Sequence, residues 1–465
     1  MTSPRPRLVR CGPAAGPLAA VYDAALHNVL DVNAVERADT PGGPVLRAGG
    51  GYAEPWTRDA SINSWYAASW LAPDLAARTL WKVCDLDAGL VAQDDQWWDQ
   101  IIWVVAARHH AVVTGDRDFQ ARAYPVAAAT AAKLTRERLD HRFGLYQGPA
   151  VMQDGISGYP TPPNDPAISS SFVLDYPEAA RIMCLSTNAL YAGAFRALAA
   201  MAGDVGADPG PHLAAADAVA AAVNRHLWRD DAGTYGAFLH GAGELEGRRD
   251  DHQEALGLAL AVLFGVAGPE QRRSVITTAV RRAFGITNVE PHFPRYDDDH
   301  PGRHNAICWP MVMGVWADAV AHAGDGAGFG QALSDLVRLL SSSGGLWELY
   351  NAVTGAVDGG WQQGRQWDSQ PDQTWSATTL LGLVHHRLAG LRPTPGGLAV
   401  APVVPPGWGP IELAGLPDRR ATLDVTVEGS GQTVAQVALD GQPIDGPVAI
   451  PTDLAGRHRL DIRLG

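Results

Sequence analysis

The chain of 465 residues reads as an all-α (α/α)6 barrel, a toroid of six helical hairpins, with a small C-terminal antiparallel β-sandwich domain. Three observations predict this. The first 390 residues break into about twelve Ala- and Leu-rich segments with apolar residues at i, i+3, i+4 spacing. Short and long connections alternate between them, as in antiparallel hairpins trimmed at one end and elaborated at the other. From residue 391 the helical period gives way to alternating segments between Pro/Gly turns. The division is therefore 1–390 for the barrel and 391–465 for the β-domain.

The helices are expected near 16–36, 59–71, 74–84, 97–114, 117–138, 186–203, 211–228, 252–264, 269–284, 304–322, 327–342 and 374–390. Pro73-Asp74 and Thr114-Gly115-Asp116 are the short joints between the second and third and the fourth and fifth. Long loops rich in Trp, Asp, Glu, His and Gly precede the second, fourth, sixth, eighth, tenth and twelfth. Closing six hairpins into a ring brings all of these loops to one rim, which is where a site belongs. In the tail, the alternating runs are 398–403, 421–427, 434–439 and 458–464, and Asp440-Gly441 is a hairpin turn signal.

Composition narrows the function classes. Hydrophobic residues make up 46% and charged residues 18%, as in a globular chain with a large core. A net charge of −14 argues against nucleic acid, which needs a Lys/Arg surplus. No apolar run reaches the roughly 18 residues of a membrane span. The segment Met1 to Pro17 has no continuous apolar stretch of the secretory kind. Cys11, Cys84, Cys184 and Cys308 are scattered and read as reduced thiols, so a cytoplasmic location is expected. The fifteen Trp suit both a large core and flat sugar rings; Trp56, Trp97, Trp98, Trp347 and Trp367 stand beside polar clusters.

The rim loops carry the candidate chemistry. In Tyr52-Ala-Glu-Pro-Trp-Thr-Arg-Asp, Asp59 falls at a helix start, where it caps the helix or, beside Trp56 and Arg58, contacts a sugar hydroxyl. Asp94-Asp-Gln-Trp-Trp-Asp-Gln offers Trp97 and Trp98 as a stacking platform with Asp99 as a polar neighbour. The longest loop, about 140–185, holds Asp154 among Met152, Ile156 and Tyr159, a setting expected to raise its pKa, together with Asp175 and Glu178. Glu254 faces the rim or completes a helix cap. Pro310 should delay the tenth helix and present His304 and Asn305, with Trp309 following. Glu348 lies between Trp347 and Tyr350 just past an apolar helix, a costly place for a carboxylate without hydrogen bonds or a function. Trp361 and Trp375 complete the aromatic set; a pocket closed by Trp56, Trp97, Trp98 and Trp361 implies exo action on a short substrate.

Paired carboxylates suit glycosidic bond cleavage. One gives a proton to the leaving oxygen and the other activates water at the opposite face. Asp154 and Glu348 lie on loops six helices apart, across the rim from each other. No His/Cys/Asp cluster has metal-ligand spacing, so no metal and no cofactor is expected; a G-x-S-x-G elbow and a phosphate-cradling Gly loop are also lacking.

The stretches Pro55-Trp-Thr-Arg-Asp, Glu348-Leu-Tyr-Asn-Ala-Val-Thr-Gly and Gln373-Thr-Trp-Ser-Ala resemble the six-hairpin glycosidase superfamily of trehalases, processing α-glucosidase-like enzymes, glucoamylases and α-L-rhamnosidases. In trehalase-like members, a Glu in E-x-Y-[DN]-x-x-x-G is the general base, which the resemblance places at Glu348. The acid there is an Asp in the loop before the sixth helix, usually in S-G-x-D. Asp154 matches this by location, in Val-Met-Gln-Asp-Gly, and not by motif. The resemblance implies an exo-acting, inverting hydrolase of a small carbohydrate, an α-glucoside being favoured. Three other readings stay open on related barrels. A phosphorylase would lack the base, a sugar epimerase would use His252 and His304, and a glycan-binding barrel would lose the carboxylates.

Overall fold

The structure is a computed structural model that describes residues 5–40, 42–444 and 448–465. Residues 1–4 of the Met1 to Pro17 segment lie outside the described residues. Twelve helices organise the described part of the first 390 residues: α1 (Leu18–His27), α2 (Thr57–Asn63), α3 (Pro73–Lys82), α4 (Ile102–Thr114), α5 (Arg117–Arg138) and α6 (Leu185–Asp204), then α7 (Gly210–His226), α8 (Ala255–Leu263), α9 (Pro269–Thr278), α10 (Pro310–His322), α11 (Gly326–Ser342) and α12 (Thr374–Gly382). Short helical pieces extend some of them; α2 continues through a π-helical turn at Ser64–Ala68 into Ser69–Leu71.

Local chemistry sets the boundaries. Proline opens α3 and α10, where a missing N–H costs nothing. The turn from α4 to α5 needs Gly115 at φ 71°, and the Asp116 carboxylate then accepts from the Phe119 amide at 2.8 Å as the α5 cap.

The even-numbered helices pack cyclically. α2 lies on α4, α4 on α6, α6 on α8, α8 on α10, α10 on α12, and α12 returns to α2. Their sequences explain why they take the inner positions. In α6 every residue from Leu185 to Phe195 is buried, and α12 is buried along its whole length. A helix apolar or small all round must be enclosed on all sides. Polar side chains on these helices satisfy one another, as where the Thr378 hydroxyl donates to Asn63 at 2.8 Å and ties α12 to α2. The odd helices are one-sided: α11 buries Phe329, Leu333, Leu336 and Leu340 and exposes its other face. α1 packs on α11 and α12, α3 on α2 and α4, α5 on α4 and α6, α7 on α6, and α11 on α10.

After α12 the chain forms strands β2 (Leu391–Thr394), β3 (Gly397–Val400), β4 (Ile411–Asp418), β5 (Arg420–Glu428), β6 (Val434–Leu439), β7 (Gln442–Pro443), β8 (Val448–Pro451) and β9 (Ala455–Leu464). Two features differ from the expected antiparallel sandwich. β5 and β9 pair in parallel over nine residues. The N-terminal strand β1 (Arg7–Arg10) joins the larger sheet, whose order is β1-β4-β5-β9-β6-β7, beside a second sheet β2-β3-β8. Only four residues long, β1 is too short to announce itself by alternation. No described helix is long and apolar enough to cross a membrane.

Candidate active site

The long loops that precede α2, α6, α10 and α12 converge on one cavity of about 320 Å³. Asp154 and Glu348 both line it, from loops that precede helices on opposite sides of the cyclic array.

Glu348 is 3% exposed, and both carboxylate oxygens are taken. Tyr52 donates its hydroxyl to Oε1 at 2.8 Å, and Arg303 donates to Oε2 at 2.5 Å. Arg303 is fixed in turn: it donates to the Gly359 carbonyl at 2.9 Å, its amide donates to the Trp361 carbonyl, and Trp309 donates its indole N–H to the Arg303 carbonyl. The backbone amide of Glu348 is bound to the Gln370 carbonyl. A carboxylate held at both oxygens by groups from two other loops is oriented before any substrate arrives.

Asp154 keeps a side chain 30% exposed to the cavity. Its carboxylate lies 3.0 Å from Arg58 Nη2 and 3.5 Å from His304 Nε2. The structure reverses the raised pKa expected from sequence. Burial does push the Asp154 carboxyl up, but Arg58 and Arg303, with a hydrogen bond from Gln96, outweigh it and hold the group below the usual carboxylate range. The burial visible in sequence is real and is the largest single influence; the guanidinium 96 positions away heads the opposing ones, which together exceed it.

Arg58 stands among three carboxylates, with Asp99 at 3.2 Å, Asp59 at 3.8 Å and Asp154 at 3.0 Å, and also donates to Gln96. One cation cannot stabilise three buried anions equally. Burial pushes both Asp59 and Asp99 up to about 7 against the opposing pull of Arg58. His304 is driven by burial down to about 3 and is a neutral imidazole beside Asp154. Its close approach requires Gly155, where a Cβ would sit 2.2 Å from Gln362 Oε1 and 2.4 Å from His304 Cδ2.

Of the residues expected to contact substrate, Trp56, Arg58, His304, Trp309 and Trp375 line the cavity with the two carboxylates. The others stand behind it. Asp59 and Asp99 are buried around Arg58, and Asp59 caps nothing, since Trp56 occupies that position. Trp97 donates to the Gln147 carbonyl under the Arg138 guanidinium, and Trp98 is fully buried with Ala150, Ile156 and Tyr159. The pair therefore forms no stacking platform, because both rings pack inward. Glu254 is the cap of α8, accepting from the amides of Ser186 at 3.0 Å and Gly257 at 3.2 Å. Asn305 is buried and accepts from the Phe293 amide. Trp347 packs against the core, and Trp361 supports Arg303 through its backbone and lies beside His300. Asp175 and Glu178 do not line the cavity, and neither does His252, which pairs with Asp250.

Tyr52, Arg303, Gln362, Gln370 and Phe172 are lining residues that sequence reasoning does not single out. Tyr52 and Arg303 each sit in a quoted rim loop within four residues of a candidate. That proximity is the available signal.

A cyclic helical array with a carboxylate pair in a rim cavity defines the six-hairpin glycosidase class. A family model described as the mannosylglycerate hydrolase MGH1-like glycoside hydrolase domain matches residues 56–376, and the chain belongs to that family. Solved structures are similar at low identity. A protein described as a sialidase is 17% identical with a TM-score of 0.71, over 96% of this chain and 41% of that one. A GH78 rhamnosidase from Bacillus sp. GL1 is 17% identical with a TM-score of 0.62, over 98% and 43%. The GH63 mannosylglycerate hydrolase of Thermus thermophilus, in complex with Tris, is 17% identical with a TM-score of 0.58, over 78% and 100%. The chain thus spans less than half the length of the sialidase and the rhamnosidase. No curated protein matches it.

Proposed function

We propose that this protein is an exo-acting, inverting glycoside hydrolase on an (α/α)6 barrel, with Glu348 as general base and Asp154 as general acid, and that it releases the sugar of a small α-glucoside. The observation that carries the reading is the placement of the two carboxylates in one cavity, with Glu348 anchored by Tyr52 and Arg303. In the reaction, the protonated Asp154 carboxyl gives its proton to the glycosidic oxygen as the anomeric C–O bond breaks. A water on the opposite face loses a proton to Glu348 and forms the new C–O bond, so the anomer inverts. Asp154 is ionised in the resting site and takes up its proton with the substrate. Trp56, Arg58, His304, Trp309 and Trp375 bind the sugar. The glycoside hydrolase family favours a glycoside over the epimerase reading, which also needs His252 in the cavity.

The catalytic unit is 1–390 and the β-domain 391–465, with β1 lent to the latter. A cytoplasmic location fits the four free thiols, two of them buried. The test is a panel of α- and β-linked disaccharides and aryl glycosides with the product anomer followed by NMR. A free reducing sugar of inverted anomer, formed without phosphate, is the expected result. A retained anomer overturns the mechanism, and no turnover of any glycoside overturns the reading.

A further inference from the structure

The mouth of the cavity carries an aromatic ring that folding alone does not explain. Phe172 is 37% exposed, and no other Phe, Tyr or Trp among the described residues is as exposed. Part of the ring stays in water although it lines a cavity, and that place points to a ligand.

Its position relative to the acid is set by backbone pairing. Phe172 forms an antiparallel bridge with Gly155, flanked by the Val173 amide donating to the Asp154 carbonyl and the Ile156 amide donating to the Ser171 carbonyl, both at 2.9 Å. Residues directly opposite in such a bridge project from the same face. The absent Gly155 side chain would point at Gln362 and His304, both of which line the cavity, and Phe172 lines it too. The ring therefore stands on the Asp154 side of the cavity. A general acid protonates the leaving oxygen, so whatever lies beside the acid faces the leaving group and not the sugar that is released. Trp367, another aromatic lining residue, comes from the loop before α12, and its buried indole N–H has no hydrogen-bond partner among the described residues.

We propose that Phe172, with Trp367, forms a leaving-group subsite for a flat apolar face, either an aryl ring or the face of a second sugar ring. This rests on the reading of Asp154 as the acid. The released sugar is recognised by the polar floor; the aglycone is recognised by the rings.

The experiment compares wild type and Phe172→Ala on three substrates that share the sugar found active in the panel: a 4-nitrophenyl glycoside, the corresponding disaccharide and the methyl glycoside. Taking the variant-to-wild-type ratio for each substrate cancels leaving-group reactivity. Loss of one stacked ring costs about 1.4 kcal/mol, so kcat/KM should fall roughly tenfold, mainly through KM, on substrates that use the ring. The methyl glycoside should change less than about twofold, and Phe172→Trp should restore the stacked substrates. A fall confined to the aryl glycoside assigns the subsite to aryl groups, and a fall confined to the disaccharide assigns it to sugars. Equal ratios on all three substrates overturn the proposal. Absence of wild-type turnover on every substrate overturns the hydrolase reading instead. Because Phe172 is exposed, the variant should melt with wild type.

Discussion

Glu348 is the residue at which sequence and geometry agree most fully. Its aromatic setting marks it as costly without hydrogen bonds, and Tyr52 and Arg303 provide them. Glu348→Gln keeps the shape and both contacts in altered form. We expect kcat to drop by about a thousandfold with the melting temperature little changed, as measured by steady-state kinetics beside thermal unfolding. Unchanged kcat would remove it as the base. Asp154 is the less legible partner, since its loop is evident from length and its electrostatics are not. Arg58, His304 and Arg303 reach it from other loops, and no window of sequence around 154 contains them. Asp154→Asn should spare glycosyl fluorides, whose leaving group needs no proton, and lose natural glycosides by about a hundredfold or more. Equal losses on both would move the acid elsewhere.

At the scale of elements, the helices are legible because burial on one face or all faces writes a 3.6-residue period into composition. All twelve segments have their helix, most with ends displaced by a few residues; α9 stops at Thr278, well short of the expected 284, and Pro310 delays α10 past the expected 304 as its chemistry requires. The rim loops are legible as a set but not in their inner geometry. Whether Trp97, Trp98 or Trp361 faces a cavity depends on backbone turns such as Met152 at φ 64°, which composition does not encode. Glu254 illustrates the same limit, since a rim carboxylate and a helix cap have one sequence signature. Its two backbone partners make it structural. Glu254→Ala should cost about 1–2 kcal/mol of stability, from the lost cap and stranded amides, and leave kcat and KM within about twofold. A large rise in KM with unchanged stability would return Glu254 to the substrate.

For the whole molecule, buried histidines govern how stability depends on pH. Burial lowers the pKa of His109 and His110, the latter to about 4, and takes His304 and His385 to about 3. Their folded pKa lies below the unfolded value near 6.5, so the unfolded chain binds more protons once pH falls below that value. Stability is therefore fully present above about pH 6.5 and is lost as pH falls toward the folded values. His304 and His385 each account for about 2 kcal/mol at pH 5. Asp59, Asp99 and Glu254, all raised to about 7, work in the other direction over about pH 4–7, each by about 2–3 kcal/mol at pH 5, and offset most of the loss. Melting curves from pH 8 to pH 5 should show a falling midpoint, less steep than the histidines alone would give. A midpoint that rises on acidification would mean the carboxyls dominate.

The pairing of β1 with β4 has a consequence for biosynthesis. Residues 7–10 leave the ribosome long before their strand partner at residues 411–418. At ~5–20 residues per second, roughly 20–80 s separate the two. During that interval the helical array can assemble from its own neighbours while the β1 segment stays without its strand partner. The larger sheet is completed only after β4 to β9 are made, so strands that flank the helical array in sequence close one circuit.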